Sequence, residues 1–400
     1  MRLLTLVSAL LGLGLTLPAY ADPFSDFLHA FEPTAVAAGI SPDLYEAATK
    51  GIEPDPSIEA LVQTQPEFNT PIWTYLDQRV SDTRIKAGIA AFKKNRTLFN
   101  KMHKRYGVDP YLLAAIWGIE TNYGSVLNNS KLIKPVIPSL ATLVYLHRSR
   151  YELDKLDFIA ALKLVQRGPL DATHLVGSWA GAIGALQVNP ANVVAHGTDG
   201  DGDGKIDLQD SLADALATSS KYLLALGYKP GLEWGYEVTV PAKFDYSIAD
   251  RTALKPIRTF TALGVKRVGG RKFASTSLPV FFYAPAGAKG PKFLMTNNFQ
   301  VLKGYNQSDS YALAVSHLQD RLMGTKDFAT PWPRDTKFPD TDQRKAIQAA
   351  LIKLGYLDGE PDGRLGPATS AAYAKYQKSK GEVADGFVTL DAYEELAGGK

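Results

Sequence analysis

Cysteine is absent from all 400 residues. That excludes disulfides, and it excludes the N-terminal cysteine on which a bacterial lipoprotein anchor is built. Histidine is scarce: the six present show no HExxH and no paired metal spacing, so they are expected to be surface or packing residues rather than zinc ligands. No glycine-rich phosphate loop and no nucleophile elbow occurs. Neither sign of charge dominates, with 44 Lys and Arg against 41 Asp and Glu for a net +3, so composition does not call for nucleic acid or an acidic membrane surface as partner. After Leu17 no apolar stretch is long enough to span a bilayer, which takes roughly 20 residues.

What is there suits a globular chain. Apolar residues make up 45% and charged residues 21%, enough for a sizeable core and more than one domain. The N-terminus carries Arg2, an apolar run from Leu3 to Leu17, and then Ala19-Tyr20-Ala21, the small-residue pattern of a cleavage site. This predicts a secretory signal removed after Ala21 and a soluble, exported protein without a membrane anchor.

From Asp22 to about Met323 the spacing is mostly helical, as in DTRIKAGIAAFKKNRTLFNKMHKRYG, with Gly107 as a stop. Arg251 to Met295 departs from it. It is rich in Val, Phe, Thr, Gly and Pro, with nine Lys or Arg and no Asp or Glu, and predicts short strands and loops with a positive face. TKDFATPWPRDTKFPD, holding Pro331, Pro333 and Pro339, resists helix and reads as a stiff linker. Beyond it, Ile347, Ala350, Leu351 and Leu354 form one apolar stripe, and Thr369, Ala372, Tyr373 and Tyr376 a second. The C-terminal unit is thus a compact helical module.

One carboxylate stands out. In GVDPYLLAAIWGIETNYG, Asp109 suits an N-cap and Pro110 the first helical position, so a helix is expected from there through Glu120. Leu113, Ile116, Trp117 and Glu120 then share one face, which puts Glu120 beside core residues. Partial burial disfavours the ionised form and makes a neutral acid available. Spacing alone is equally consistent with a capping or salt-bridged glutamate.

IWGIETNYG resembles the catalytic helix end of the lytic murein transglycosylase B family, whose E-[ST]-x-[YFW]-G segment carries the essential acid. QPEFNTPIWTYLDQRVSDTRIKAG upstream, and GSWAGAIGALQVNP and GPKFLMTNNFQVLKGYNQSDSYALAV downstream, are similar to family segments in the same order, from Ser41 to Leu322. The resemblance implies a lysozyme-like α+β domain that cleaves the β-1,4 bond between N-acetylmuramic acid and N-acetylglucosamine without water. Glu120 would protonate the glycosidic oxygen and then, as carboxylate, take the proton of the muramic C6 hydroxyl while a 1,6-anhydro ring closes. Glu152, Asp154, Asp157 and Asp171 are available as second carboxylates, but none sits in a matched motif. The resemblance also implies a sugar cleft lined by Ser178, Gln187, Tyr305, Asn306 and Tyr311, with Arg150 as a further substrate contact, and a periplasmic location. Glycan strands of peptidoglycan are the expected partner, with other cell-wall enzymes as further candidates and a monomer as the expected state. The chain departs from the family where it reads GALQVNPA, and where His147, Arg148, Ser149 and Arg150 replace a YPRR pattern.

DGDGDGKIDLQD, Asp199 to Asp210, fits an EF-hand loop: Asp199, Asp201 and Asp203 at positions 1, 3 and 5, Gly204 at 6, Lys205 at 7 offering its carbonyl, Ile206 at 8 and Asp210 at 12. Structural Ca2+ is the expected cofactor, and no organic cofactor is expected. The C-terminal IQAALIKLGYLDGEPDGRLGPATSAAYAKYQKSKGEVADGFVT resembles the peptidoglycan-binding domain of three short helices, with Asp362 to Thr369 as its most specific part. The expected fold is therefore mainly α: signal peptide 1–21, lysozyme-like α+β catalytic domain 22–325 with the acidic loop at 199–210, linker 326–337, and a small three-helix binding domain 338–400.

Overall fold

The computed structural model describes residues 23–63, 70–168, 171–249 and 253–398. The signal peptide expected over 1–21 lies outside them. Among the described residues no helix is long and apolar enough to cross a membrane.

The helix Pro110–Thr121 is the axis of the larger domain. Asp109 caps it by accepting the N–H groups of Tyr111 (2.8 Å) and Leu112 (3.1 Å), and Pro110 opens it. The sequence predicted one apolar face, whereas every residue from Leu112 to Ile119 is buried. A helix apolar all round belongs inside a helical bundle. Helices Asp309–Leu322, Asp82–Lys94, Arg96–Tyr106 and Leu212–Ala225 surround it. The long helical run predicted over 82–107 is two helices, broken at Asn95.

The cationic stretch folds as predicted into short strands. Two residue pairs, β1 (Lys134–Pro135) and β2 (Val176–Gly177), make a small antiparallel ladder. The main sheet joins β3 (Gly235–Thr239), β4 (Lys255–Pro256), β5 (Lys266–Arg267), β6 (Pro279–Tyr283) and β7 (Lys292–Met295) in the order β4-β6-β7-β3-β5, all antiparallel. Strand alternation divides its side chains. Phe281, Tyr283, Phe293 and Met295 enter the helical core, while Val280, Phe282, Leu294, Tyr236 and Val238 form a second core under Tyr246, Ile257 and Phe260.

Asp320, on the helix behind β3, accepts a hydrogen bond from the Trp234 indole, yet burial pushes its carboxyl up to about 6 despite His317 and Arg271 nearby, with Glu233 adding to the rise. A carboxyl raised in the folded state binds protons more tightly there than in the unfolded chain, so its contribution falls as pH rises from about 4 to 6. Asp320→Asn, which keeps an acceptor for Trp234, is expected to gain stability relative to wild type on the order of 3 kcal/mol more at pH 8 than at pH 4. Paired melting curves at the two pH values check this; a pH-independent difference would contradict it.

The C-terminal unit has three helices, Thr341–Lys353, Pro367–Ser379 and Leu390–Leu396, around Ile347, Leu351, Ala372, Tyr373, Val388 and Ala392. Gln348 organises it: its amide nitrogen donates to Asp362, Arg364 and Thr369, and its oxygen accepts the Gly363 N–H. Leu354, expected on the buried stripe, is exposed, because the helix ends at Lys353 and Tyr356 and Leu357 pack on the core instead.

The proline-rich segment is not a free spacer. Phe328 stacks on His317 and meets Phe293 edge-on, the Glu237 carboxylate accepts the N–H groups of Ala329 and Thr330 (each 2.8 Å), and Arg334 forms a two-pronged pair with Asp77. The small domain also docks directly: Asp385 accepts the Ala288 N–H (2.7 Å), and Phe387 packs against Trp73.

Candidate active site

Glu120 occupies the last turn of the buried helix and is itself only half-buried. The chain then turns sharply. Asn122, Tyr123 and Gly124 follow with φ of 48°, 59° and 84°, and two consecutive non-glycine residues in the left-handed region hold strain that the surroundings must support. Thr121, fully buried, supplies part of that support. Its hydroxyl donates to the Ala185 carbonyl (2.7 Å) and accepts the Gly124 N–H (3.2 Å). Arg84 donates to the Asn122 side chain (3.3 Å), and the Tyr123 ring lies edge-on to Trp117.

The segment GSWAGAIGALQVNP folds over this turn. Ser178, placed by β2, donates its N–H to the Ala182 carbonyl and accepts the Ala182 N–H at its hydroxyl oxygen (3.1 Å). Ile183 and Val188 pair as an isolated bridge. The glycines serve close packing: a Cβ at Gly184 (φ 76°) would sit 2.0 Å from the Leu208 carbonyl oxygen, and one at Gly181 (φ 81°) would meet Leu140 at 2.7 Å. Gln187, also left-handed at φ 50°, returns its amide nitrogen to the Gly184 carbonyl (2.9 Å).

The far wall comes from the helices Asn297–Asn306 and Asp309–Leu322. The Tyr311 hydroxyl donates to Glu120 Oε1 at 2.6 Å and so ties the acid to the far wall. Burial pushes that hydroxyl well above its ordinary range and the Glu120 charge acts in the same direction, so Tyr311 stays a donor. Tyr305 stacks parallel to Tyr311, with centroids 6.4 Å apart and planes 5° apart. Its hydroxyl donates to the Leu186 carbonyl (2.9 Å) and meets Ser219 Oγ (3.1 Å), which ties the GALQ turn to the helical wall. Asn306 is half-buried in the last turn of its helix.

Structure thus gathers Glu120, Tyr311, Tyr305 and the Ala185–Gln187 turn, with Ser178 reached through the same fold. Arg150 is different. It is exposed at the start of helix Tyr151–Arg167, where its charge acts on Asp157. Asp157 caps the next helix by accepting the Ala191 N–H (3.0 Å) and the Asn189 amide (3.3 Å), and burial pushes its carboxyl up to about 6. The other carboxylates the sequence offered are also engaged: Asp154 pairs in two-pronged fashion with Arg148, Glu152 with Lys155, and Asp171 with Thr173 and His174. Thr121 and Ser219 were not singled out by spacing; the second position of the E-[ST]-x-[YFW]-G pattern was the available signal for Thr121.

In the acidic loop, oxygens of Asp199, Asp201 and Asp203 lie within 4.8 Å of one another. Asp199 accepts the N–H groups of Gly202 (2.5 Å) and Gly204 (2.9 Å), which hold its carboxyl below the ordinary range. Three hard oxygen donors on one turn fit a cation such as calcium. Lys205, expected to offer its carbonyl, is held by its own N–H to Asp203 (2.8 Å). Asp210 stands outside the cluster, because Asp207 accepts its N–H and that of Gln209 and so turns the chain before helix Leu212–Ala225. Asp214, buried in that helix, closes the loop by accepting the N–H groups of Gly200 and Asp207.

An acid at the end of a buried helix, gripped by a tyrosine and roofed by a glycine-rich turn, on a helical domain with a small sheet, is the architecture of a lysozyme-like glycan-cleaving enzyme. The family model for the transglycosylase SLT domain matches residues 23–320, and one for a peptidoglycan binding domain matches 340–396. The chain belongs to the SLT-type lytic transglycosylase family, joined to a peptidoglycan-binding domain. It is 37% identical to SltB3 from Pseudomonas aeruginosa, solved in complex with NAG-anhNAM-pentapeptide, with a TM-score of 0.86 over 93% of this chain and 99% of that one. It is 25% identical over 262 residues to the membrane-bound lytic murein transglycosylase B of Escherichia coli, covering 61% of this chain and 65% of that relative's length. The E. coli lytic transglycosylase Slt35, solved in complex with calcium, shares the fold at 21% identity, with a TM-score of 0.63 over 75% of this chain and 92% of that one.

Proposed function

We propose that the protein cleaves the MurNAc-β-1,4-GlcNAc bond of peptidoglycan without water, leaving 1,6-anhydro-MurNAc ends, with Glu120 as acid and then base. The observation that carries this is the grip of Tyr311 on Glu120, with the four carboxylates the sequence offered as seconds, Glu152, Asp154, Asp157 and Asp171, each paired with other groups. Hydrolases of the two-carboxylate type need a partner within roughly 5 to 10 Å to hold a nucleophile or a water. One carboxylate suffices when the attacking hydroxyl belongs to the substrate. Glu120 gives its proton to the departing GlcNAc oxygen as the C1–O bond breaks, and the muramic N-acetyl group shields the cationic C1. The Glu120 carboxylate then removes the C6 hydroxyl proton as O6 bonds to C1, which restores the acid. That SltB3 was solved with an anhydromuramic compound supports this reading. Mass analysis of products from purified murein tests it: the expected ends are lighter by one water than those of hydrolysis, and reducing muramic ends would replace the reading with a muramidase.

Ser178, Gln187 and Asn306 would bind a neutral sugar through hydroxyl and amide groups, with the Tyr305 ring as an apolar surface, as the family resemblance implies. Export to the periplasm by the segment 1–21 would bring the enzyme to its substrate, and the C-terminal domain would hold it to the wall.

Calcium is proposed for the Asp199–Asp203 loop, supported by the gathered carboxylates and by the calcium in Slt35. Its effect would be on stability, since a ligand that binds only the folded state raises its melting temperature. Melting is expected several degrees higher in millimolar calcium than in chelator, with the difference lost in Asp199→Asn/Asp201→Asn. Equal melting in both conditions would remove the metal.

A further inference from the structure

Two consecutive residues of the turn after Glu120 are left-handed without being glycine, and one helix face lies against both. Arg84 of helix Asp82–Lys94 donates from Nε to the Asn122 side-chain oxygen (3.3 Å). Gly88, one turn further along the same face, makes room for the ring of Tyr123. A Cβ there would collide with the Tyr123 hydroxyl, and one at Gly118 of the catalytic helix would meet the same oxygen at 2.5 Å. That hydroxyl is buried and has no hydrogen-bond partner among the described residues. Tyr123 is therefore held by shape, and the polar hold on the turn from this helix falls to Arg84.

The other end of the guanidinium is anchored. Its Nη1 donates to the carbonyls of Gln78 (2.9 Å) and Arg79 (2.7 Å), at the C-terminal end of helix Ile72–Arg79. There the last carbonyls lack partners within the helix, and the helix dipole favours a cation. That helix is itself fixed: Ile72, Trp73, Tyr75 and Leu76 are buried, and Asp77 pairs with Arg334. The Arg84 side chain is half-buried, and burial and then the charge of Arg79 both work against its ionised form. A cation kept in such a place needs fixed acceptors to offset the cost. Those found here join the end of one helix to the turn beyond Glu120.

We propose that Arg84 is a positioning residue for the cleavage reaction, holding the Glu120 carboxylate in place by gripping the strained turn that follows it. The assignment rests on the catalytic reading above. Left-handed backbone at a non-glycine residue persists only where its surroundings enforce it. Glu120 lies in the last turn of its helix, two residues before Asn122, so relaxation of the turn moves the acid directly. A displacement of about 1 Å at a reacting group costs on the order of 100-fold in rate. Tyr311 fixes one oxygen of the carboxylate, and Arg84, acting through Asn122, fixes the backbone from which that carboxylate projects.

Steady-state cleavage of soluble murein fragments by Arg84→Lys tests this. Lysine keeps a cation for the Gln78 and Arg79 carbonyls, so the fold should survive, but one compact ammonium does not span those carbonyls and Asn122 together. The expected result is a kcat lower by at least about tenfold with KM changed by less than about threefold. Asn122→Gly, whose backbone suits a φ of 48° while its acceptor is gone, should lower kcat to a similar extent. It carries the test alone if a melting curve shows Arg84→Lys to be unfolded. In the double variant the second substitution should cost less than about twofold more, because both remove one contact. A folded variant of either kind with kcat within about twofold of wild type would overturn the proposal, and is what an arginine that only caps a helix would give. A rise in KM at constant kcat, or losses that multiply in the double variant, would overturn it equally. None of these outcomes touches the role of Glu120, which falls only if Glu120→Gln cleaves normally or the wild type leaves no anhydro ends.

Discussion

Glu120→Gln is expected to lower murein cleavage by at least about 100-fold while the protein stays folded. Glutamine keeps the length and shape of the side chain, and its amide oxygen still accepts the Tyr311 hydroxyl that reaches Glu120 Oε1 at 2.6 Å. What disappears is the titratable proton. Neither the donation to the leaving oxygen nor the later removal of the C6 hydroxyl proton has a substitute, because the carboxylates the sequence offered as seconds are committed to Arg148, Lys155, Ala191 and Thr173. Stability should hold or rise, since an amide costs less than a charge to keep half-buried. Turnover per milligram and a melting curve on the same preparation check both halves. Near-normal cleavage by a folded variant would take Glu120 out of the chemistry.

Local signals and distant ones were legible to different degrees. The helix carrying Glu120 could be read because its determinants are adjacent: Asp109 and Pro110 fix the start, and an apolar run fixes the interior. Its complete burial could not be read from periodicity, since Ala114, Ala115 and Gly118 are small enough to suit a surface or a crowded interior. Tyr311 lies 191 residues beyond Glu120, and only family resemblance placed the two in one cleft; no spacing rule reaches that far. Resemblance also put Tyr305 on the sugar cleft, but its hydroxyl turns to Leu186 and Ser219, a backbone carbonyl and a helix partner that pattern alone does not reveal.

Backbone geometry misled in two other places. Three prolines in the segment after Met323 said correctly that no helix forms there, yet composition cannot show that Glu237 and Asp77, far upstream, hold the strand of chain against the domain. Asp210 matched position 12 of a calcium loop by count, but Asp207 captures its N–H and turns the chain early. Counting positions assumes a backbone path, and a single side chain that accepts two N–H groups can change it.

Tyr311→Phe is expected to reduce kcat by roughly 10- to 100-fold, with KM changed by less than about threefold. The ring is fully buried and stacked parallel to Tyr305, and phenylalanine keeps both features, so the wall of the cleft should survive. Only the O–H donated to Glu120 is removed. A hydrogen bond to a charged group contributes about 1.5 to 3 kcal/mol, close to one to two decades of rate if it acts in the transition state. The hydroxyl keeps its proton under the field of Glu120 and the pressure of burial, so it serves as a fixed donor that aims the carboxylate while the proton leaves and returns. The split between the two kinetic constants separates this role from direct sugar binding. A tyrosine that mainly gripped substrate would raise KM at constant kcat, and that outcome would move Tyr311 from the positioning of the acid to the recognition of the glycan.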